Sequence, residues 1–359
     1  MEDTLIPYCR LAEFTRMILS LMGCSPAHAE QAAEALLSAD LRGIDSHGIA
    51  RLSGYARLWE AGRINPDPHL KVVHETPSTA TVDGDSGLGL VVGPYAMGVA
   101  MDKAEAVGSG WVSVRNSNHF GIAGFHAMKA LSRGMIGIAM TNASPLVAPT
   151  FSKERLLGTN PIAIAIPAGE EPPFVADFAT TTAANGKLEI LQRKSRQAPV
   201  GWVQDSSGKS STDPLVVTQG GALLPLGGDR EHGSHKGYAL GAIVDIFSAV
   251  LSGANYGPWA PPFVPYLTLP PDPVGLGLGH FFGALRVDGF RPASEFTRHM
   301  DQWIRRFRGA EPVDPAVGVL IPGDPEREAE KVRRESGIPV GPKVMEDLRK
   351  LGEKFHIEL

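Results

Sequence analysis

Cysteine is nearly missing from this chain: its 359 residues include two, Cys9 and Cys24. Both fall in a stretch of helical pattern, so neither a disulfide framework nor a cysteine-based metal cluster is indicated. Long apolar runs are missing too, since no uninterrupted stretch approaches the roughly 20 residues that a bilayer span requires. The first thirty residues carry Glu2, Asp3, Arg10, Glu13 and Arg16, which is not the charged-then-apolar order of a secretory signal. A cytoplasmic protein is therefore expected. Nor is there a basic track: the net charge is −5, and no Lys/Arg run is longer than a pair such as those at 305–306 and 333–334. That argues against nucleic acid and leaves a small molecule as the expected partner.

What is present is an ordinary globular composition, 43% hydrophobic and 20% charged, in a chain long enough for two domains or for one large body with a subsidiary one. Apolar residues recur at helical spacing from Arg10 to Leu41, with a start signal at Ser25-Pro26 and a stop at Gly43. A further helix is expected to start at Asp45 or Ser46 and to run to about Glu60, making the N-terminal eighty residues all-helical. From residue 79 the texture changes to short β-type runs, "TATVDGD", "GWVSVR", "GMIGIAMTN", "NPIAIAIPA" and "PFVADFA", with helical patterns between the earlier ones. The last two runs are separated by "GEEPP", too short for a crossover helix, which predicts an antiparallel hairpin in a mixed sheet. Residues 233–254 read as a largely buried helix, and 256–273 as an extended Pro-rich loop. A strand at "HFFGALRVD", a helix over about 293–308 and a tail helix over 342–355 complete the pattern.

One glycine motif invites a dinucleotide-binding reading. In "GDSGLGLVVGPYAMG", Gly87, Gly89 and Gly93 follow a strand and open a helix, but their spacing is G-x-G-x-x-x-G. The following strand ends in Arg115, where the Rossmann fingerprint places an acid. A glycine-rich turn that packs a helix on a strand is the preferred reading.

Polar side chains cluster elsewhere. His47, Arg51 and Tyr55 are four apart and would share one face of a helix. In a first turn the helix dipole would keep His47 neutral and able to take a proton, while Arg51 offers a planar fork for a carboxylate. Ser46 and His47, as helix neighbours, would point about 100° apart, which argues against a nucleophile–base pair. After a strand, "NSNHFG" sets Asn116, Ser117, Asn118 and His119 beside a helix start at Gly121–Gly124 whose free amides could hold an anion. Other strand ends offer Thr141 and Asn142, Thr159 and Asn160, and Asp177, Thr180, Thr181 and Lys187. These hydroxyl and amide groups suit ribose and carboxamide partners better than metals, and no metal is expected. Lys236 opens the 233–254 helix, a place suited to a phosphate.

Taken in order, "DSHGIAR" with Tyr55, "GLGLVVG", "NSNHFGIAG", "TNASP", "GTNP", "DFATTTAANGK", "GWVQDSSGKSSTDP", "LLPLGG" and "HKGYAL" resemble the type-2 malate/L-lactate dehydrogenases over nearly the whole chain. Sulfolactate and ureidoglycolate dehydrogenases and diketogulonate and piperideine-carboxylate reductases share that family. The resemblance implies a homodimeric oxidoreductase using NAD or NADP on a small carboxylate. Its fold would be α/β, a non-Rossmann cofactor-binding body with a mixed sheet over residues 79–289, flanked by a helical domain from residues 1–78 and about 290–359. Carried over motif by motif, His47 is the proton donor and acceptor with Ser46 beside it, Arg51 holds the substrate carboxylate, and His119 lines the same site. Tyr55 and Thr159 join the substrate side, and Lys187 matches a position of variable residue type. Thr141, Asp177, Phe178, Ala179, Thr180 and Lys236 match cofactor-contacting stretches, as do Pro322, Gly323 and Asp324, where the family more often has P-G-E. Arg115 and Arg193 are candidates for a 2'-phosphate. Two alternatives stay open: reduction of a cyclic imino acid or another 2-oxo acid on the same scaffold, and a non-catalytic α/β protein that binds a small ligand.

Overall fold

The chain begins with a short strand, β1 (Thr4–Ile6), and two helices, α1 (Tyr8–Leu21) and α2 (Pro26–Leu41). Pro26 takes the first position of α2, and Ser25 Oγ accepts from the N–H of His28 at 3.4 Å, as the start signal requires. The structure is a computed structural model and describes residues 3–193 and 195–359, the side chain of Arg193 excepted. Alanines at 29, 32, 33, 35 and 39 are buried along α2, and such small side chains let neighbouring elements approach closely. After a turn comes α3 (Leu52–Glu60), preceded by one 3-10 turn at Ile49–Arg51.

The N-terminal eighty residues are not all-helical. Strand β1 pairs with a strand near the other end of the chain, and β2 (Lys71–Glu75) pairs with β3 (Thr79–Gly87) at one sheet edge. Three residues of β1 and the largely exposed β2 carry too little alternation to show a period. Helix α4 (Gly89–Val107) then crosses over to β4 (Ser109–Ser117), which lies parallel to β3. Next come α5 (Ala123–Met128), β5 (Met135–Thr141), and the antiparallel hairpin of β6 (Ile162–Ile166) and β7 (Phe174–Phe178).

Helix α6 (Asn185–Arg193) follows, then a small sheet of β8 (Val203–Gln204), β9 (Ser210–Ser211) and β10 (Ala222–Leu223). Helix α7 (Ser234–Asp245) runs on into a π-type turn over Ile246–Val250. Strand β11 (Leu278–Arg286) inserts antiparallel between β4 and β5, giving a mixed seven-stranded sheet in the order β2-β3-β4-β11-β5-β6-β7. Its first seven residues are all buried, which accounts for the unbroken apolar run in the sequence. The chain closes with α8 (Ala293–Arg308), α9 (Asp324–Ser336), β12 (Ile338–Val340), which pairs with β1, and α10 (Pro342–Phe355).

Three apolar cores result among the described residues, the smallest gathering Leu146, Val147, Leu157, Leu188, Val203 and Leu223 around the small sheet. Of the two larger, one joins α1, α2, α3 and α10 with one face of α4; the other lies between the sheet and α4–α5. Helix α9 buries no side chain and was not legible as a helix. Ion pairs hold it instead, Glu330 to Arg42 and Arg333 to Asp45. The 233–254 helix also departs from expectation. One flank is covered, but Tyr238, Ile243, Ile246, Phe247, Val250 and Leu251 remain exposed, so the run of apolar residues reflects a second face not covered within one chain. No helix among the described residues is long and apolar enough to cross a membrane.

Candidate active site

Residues 45–48 form a bend rather than the first turn of a helix, and Asp40 is the reason. Near the end of α2 its buried carboxyl group accepts the N–H of Ile49 at 2.6 Å through Oδ2. A Cβ on residue 48 would stand 2.1 Å from that carboxyl group, so the bend closes only over a glycine, Gly48. Arg333 of α9 braces the outside by donating to the Asp40 carbonyl and to the Asp45 carboxylate.

This bend corrects two expectations. Ser46 and His47 are not helix neighbours, and Ser46 Oγ lies 2.9 Å from His47 Nδ1, within hydrogen-bonding distance. His47 is neutral, but burial, with Arg51 second, pushes its imidazole down to about 4, without any helix start beneath it. Arg51 Nε donates to the Ser46 carbonyl at 2.5 Å, and its Nη2 lies 3.7 Å from Glu189 Oε2 on α6.

His119 joins them from the loop after β4. Its ring stacks on His47 with centroids 5.8 Å apart and planes 21° apart. Tyr55, fully buried, places its hydroxyl 2.6 Å from His119 Nδ1. Burial raises the Tyr55 phenol, so Tyr55 keeps its proton and donates it to Nδ1. His119 then carries its own proton on Nε2, and burial with the neighbouring His47 holds it neutral, well below the usual histidine range. Helix α6 closes another side: a Cβ on Gly186 would lie 2.6 Å from Ser46 Cβ and 3.3 Å from Arg51 Nη2. Lys187 is in this segment, but its side chain is exposed and its Nζ stands 6.0 Å from the Trp202 ring.

The strand-end residues form two further groups. At the end of β5, Thr141 Oγ1 contacts His280 Nδ1 at 2.7 Å, and His280 Nε2 contacts Ser117 Oγ at 2.8 Å. This buried chain ties the end of β5 to the strand that leads into His119, and burial pushes His280 down to about 3. Beside it Asn142 Oδ1 accepts from Gly279 N–H at 3.0 Å, while its Nδ2 lies 3.3 Å from Asp245. The second group packs on α7. Thr180 Oγ1 donates to the carbonyls of Thr159 and Asn160, and Asn160 Nδ2 donates to the Gly241 carbonyl at 2.9 Å. Lys236 stands exposed in the first turn of that helix.

The expected anion place at Gly121–Gly124 is taken by the chain's own Asp177, which accepts the Gly124 N–H at 2.8 Å and whose carboxyl burial raises to about 6. Phe178 is exposed and Ala179 half-buried. Pro322 lies against the start of β7, its carbonyl accepting from Val175 N–H at 3.0 Å, and Asp324 is engaged by Arg308, Arg327 and the Ile321 N–H. Gly323 packs there too, against Val175 and Arg327, and among the described residues no hydrogen bond of Pro322, Gly323 or Asp324 reaches the His47 group. Arg115 is paired with Asp83 at 3.0 Å, and the Arg193 side chain lies outside the described residues. Gly89 and Gly93 pack α4 against Asn118–Phe120 and the His126 ring. Among the described residues no group of three or more His, Cys, Asp or Glu side chains is placed to hold a metal ion.

Sequence reasoning missed Asp40, Gly186, Glu189, Phe263 and His280. Asp40 left a signal, one acid in the otherwise apolar run "ALLSADL"; His280 had none beyond an apolar strand.

Paired neutral imidazoles beside a guanidinium, with hydroxyls and amides at the ends of the neighbouring strands, define an acid–base enzyme for small carboxylates. The chain belongs to the malate/L-lactate dehydrogenase family, whose model matches residues 6–349. It is 41% identical over 354 residues to a malate dehydrogenase of Pyrococcus horikoshii, covering 98% of this chain and 96% of that one. It is 38% identical to an L-sulfolactate dehydrogenase of Methanocaldococcus jannaschii, covering 95% and 94%. The crystal structure of malate dehydrogenase from Entamoeba histolytica superposes with a TM-score of 0.92 at 34% identity, covering 100% and 99%.

Proposed function

We propose that this enzyme oxidises a 2-hydroxy acid, or reduces the matching 2-oxo acid, with a nicotinamide cofactor. The observation that carries the reading is a neutral His47, its ring within hydrogen-bonding distance of Ser46, on the bend four residues before Arg51. With Ser46 Oγ accepting from Nδ1–H, Nε2 is the atom free to take the hydroxyl proton. Arg51 pins the carboxylate through its fork. His119, with Nδ1 occupied by Tyr55, offers Nε2–H to the oxygen that gains or loses the proton. Tyr55 is fully buried and acts through His119. Lys187 is assigned no proton-transfer step, because its amine lies over Trp202.

The residues present fit a nicotinamide nucleotide. Asn160 Oδ1 is buried and makes no hydrogen bond with any described residue. Beside it stands Thr180, whose hydroxyl donates to the Asn160 carbonyl, and neutral amide and hydroxyl groups of this kind suit ribose and carboxamide partners. Thr141, Asp177, Phe178, Ala179, Thr180 and Lys236 are the residues assigned to hold it, with Pro322, Gly323 and Asp324 as an outlying contact. When bound, the nicotinamide supplies the acceptor or donor of the hydride. In this reading the cofactor body is the antiparallel-rich sheet with residues 79–289, to which β2 adds an edge strand from the N-terminal segment, rather than a Rossmann unit, and the remaining N- and C-terminal segments form the helical domain.

The exposed apolar face of α7 and its π-type turn supports a homodimer, and the two unpaired cysteines support a cytoplasmic setting. The test is a panel of 2-oxo acids assayed by absorbance with NADH and with NADPH. Saturable turnover of at least one acid is expected; no turnover of any acid with either cofactor overturns the reading.

A further inference from the structure

The Pro-rich segment 256–273 joins no strand and forms one 3-10 turn at Gly257–Trp259, yet two of its aromatic side chains reach the site. The Phe263 ring lies 4.6 Å from that of His119, tilted by 32°, and edge-on to Tyr55 at 5.2 Å. Its backbone is fixed at both polar ends: the N–H donates to Ser144 Oγ at 2.9 Å, and the carbonyl accepts from Arg57 Nη2 at 2.5 Å. Helix α3 leaves room for the ring by carrying Gly54, where a Cβ would stand 2.5 Å from Phe263 Cζ. Three residues on, the Tyr266 hydroxyl donates to Asn185 Oδ1 at 3.3 Å, at the head of the helix whose Gly186 packs on Ser46 and Arg51. The loop therefore joins the α3 wall of the site to the α6 wall.

We propose that this loop sets the size of substituent the acid carries, with Phe263 as the specificity-determining residue. The inference rests on the 2-hydroxy acid reading above. Arg51 consumes the carboxylate, and His47 with His119 consumes the reacting oxygen, so one part of the substrate is left to be read, the group attached to the reacting carbon. Phe263 presents a half-buried aromatic ring directly against His119. A ring packed between α3 and His119 forms part of a close-packed apolar wall, and such a wall discriminates by volume.

The experiment compares kcat/KM for pyruvate, 2-oxobutyrate, 2-oxovalerate and 2-oxohexanoate in the full-length wild type, Phe263→Ala, Phe263→Leu and Gly54→Ala. Phe263→Ala should raise the ratio of the longest acid to pyruvate by about tenfold or more, the scale on which apolar pockets read methylene groups. Phe263→Leu, which keeps most of the packing, should give a smaller rise and carries the test if the alanine variant does not fold. Gly54→Ala drives the ring off α3 and should lower the ratio. An active wild type whose ratio stays within about twofold in both Phe263 variants overturns the proposal alone, even if all rates fall together. A wild type inactive on these four acids but active on oxaloacetate also overturns this proposal alone; one inactive on oxaloacetate as well, with NADH and with NADPH, overturns the dehydrogenase reading and this proposal with it.

Discussion

Asp40→Asn isolates the electrostatic cost of the bend that presents His47. Burial, with Asp45 adding to it, pushes the Asp40 carboxyl up from 3.8 to about 8, against the opposing pull of the Ile49 N–H and Arg333. Between those two values the folded protein binds a proton that the unfolded chain has released, so stability falls as pH rises through the window. Each pH unit is worth about 1.4 kcal/mol, so from pH 5 to pH 8 the wild type loses at most about 4 kcal/mol on account of this one group. Asparagine keeps an oxygen for the Ile49 N–H and carries no charge at any pH. The stability of the variant relative to wild type should therefore grow by about 2 to 4 kcal/mol across that interval, read from urea unfolding at pH 5, 6.5 and 8. All other titrations are shared and cancel in the difference. An offset that is the same at all three pH values would mean that Asp40 is ionised in the folded protein, and the account of the bend would be wrong.

Other outcomes follow from the same geometry. His47→Ala should abolish turnover while leaving nicotinamide affinity, read by fluorescence titration, within about threefold of wild type. Arg51→Lys, which loses the fork but keeps the charge, should raise KM for the acid by about 10- to 100-fold with a smaller effect on kcat. In the oxidation direction kcat/KM should hold from neutrality to about pH 5 and fall as pH drops through about 4, because His47 must be unprotonated. Phe247→Glu, on the exposed face beyond α7, should convert a dimer to monomers in sedimentation velocity.

The residues to which the chemistry is assigned above were visible in the sequence because their types are costly to bury: His47, Arg51, His119 and the threonines and asparagines at strand ends. The hairpin of β6 and β7, and helices α2, α8 and α10, followed from spacing and caps. What stayed hidden depends on contacts between distant segments. Nothing local says that β11 slots between β4 and β5, that β1 pairs with β12, or that Phe263 lies on His119. The bend at 45–48 was read as helix because Asp40, the group that bends it, stands outside any local window around His47. Helix α9 escaped because charge pairing, not an apolar stripe, keeps it in place.

Arg333 grips the loop of His47 from 288 positions further along the chain, and β1 waits for β12. The brace on the bend is thus long-range: a change in α9 would act on His47 at a distance, by loosening Asp45 and the Asp40 carbonyl rather than by meeting the imidazole itself.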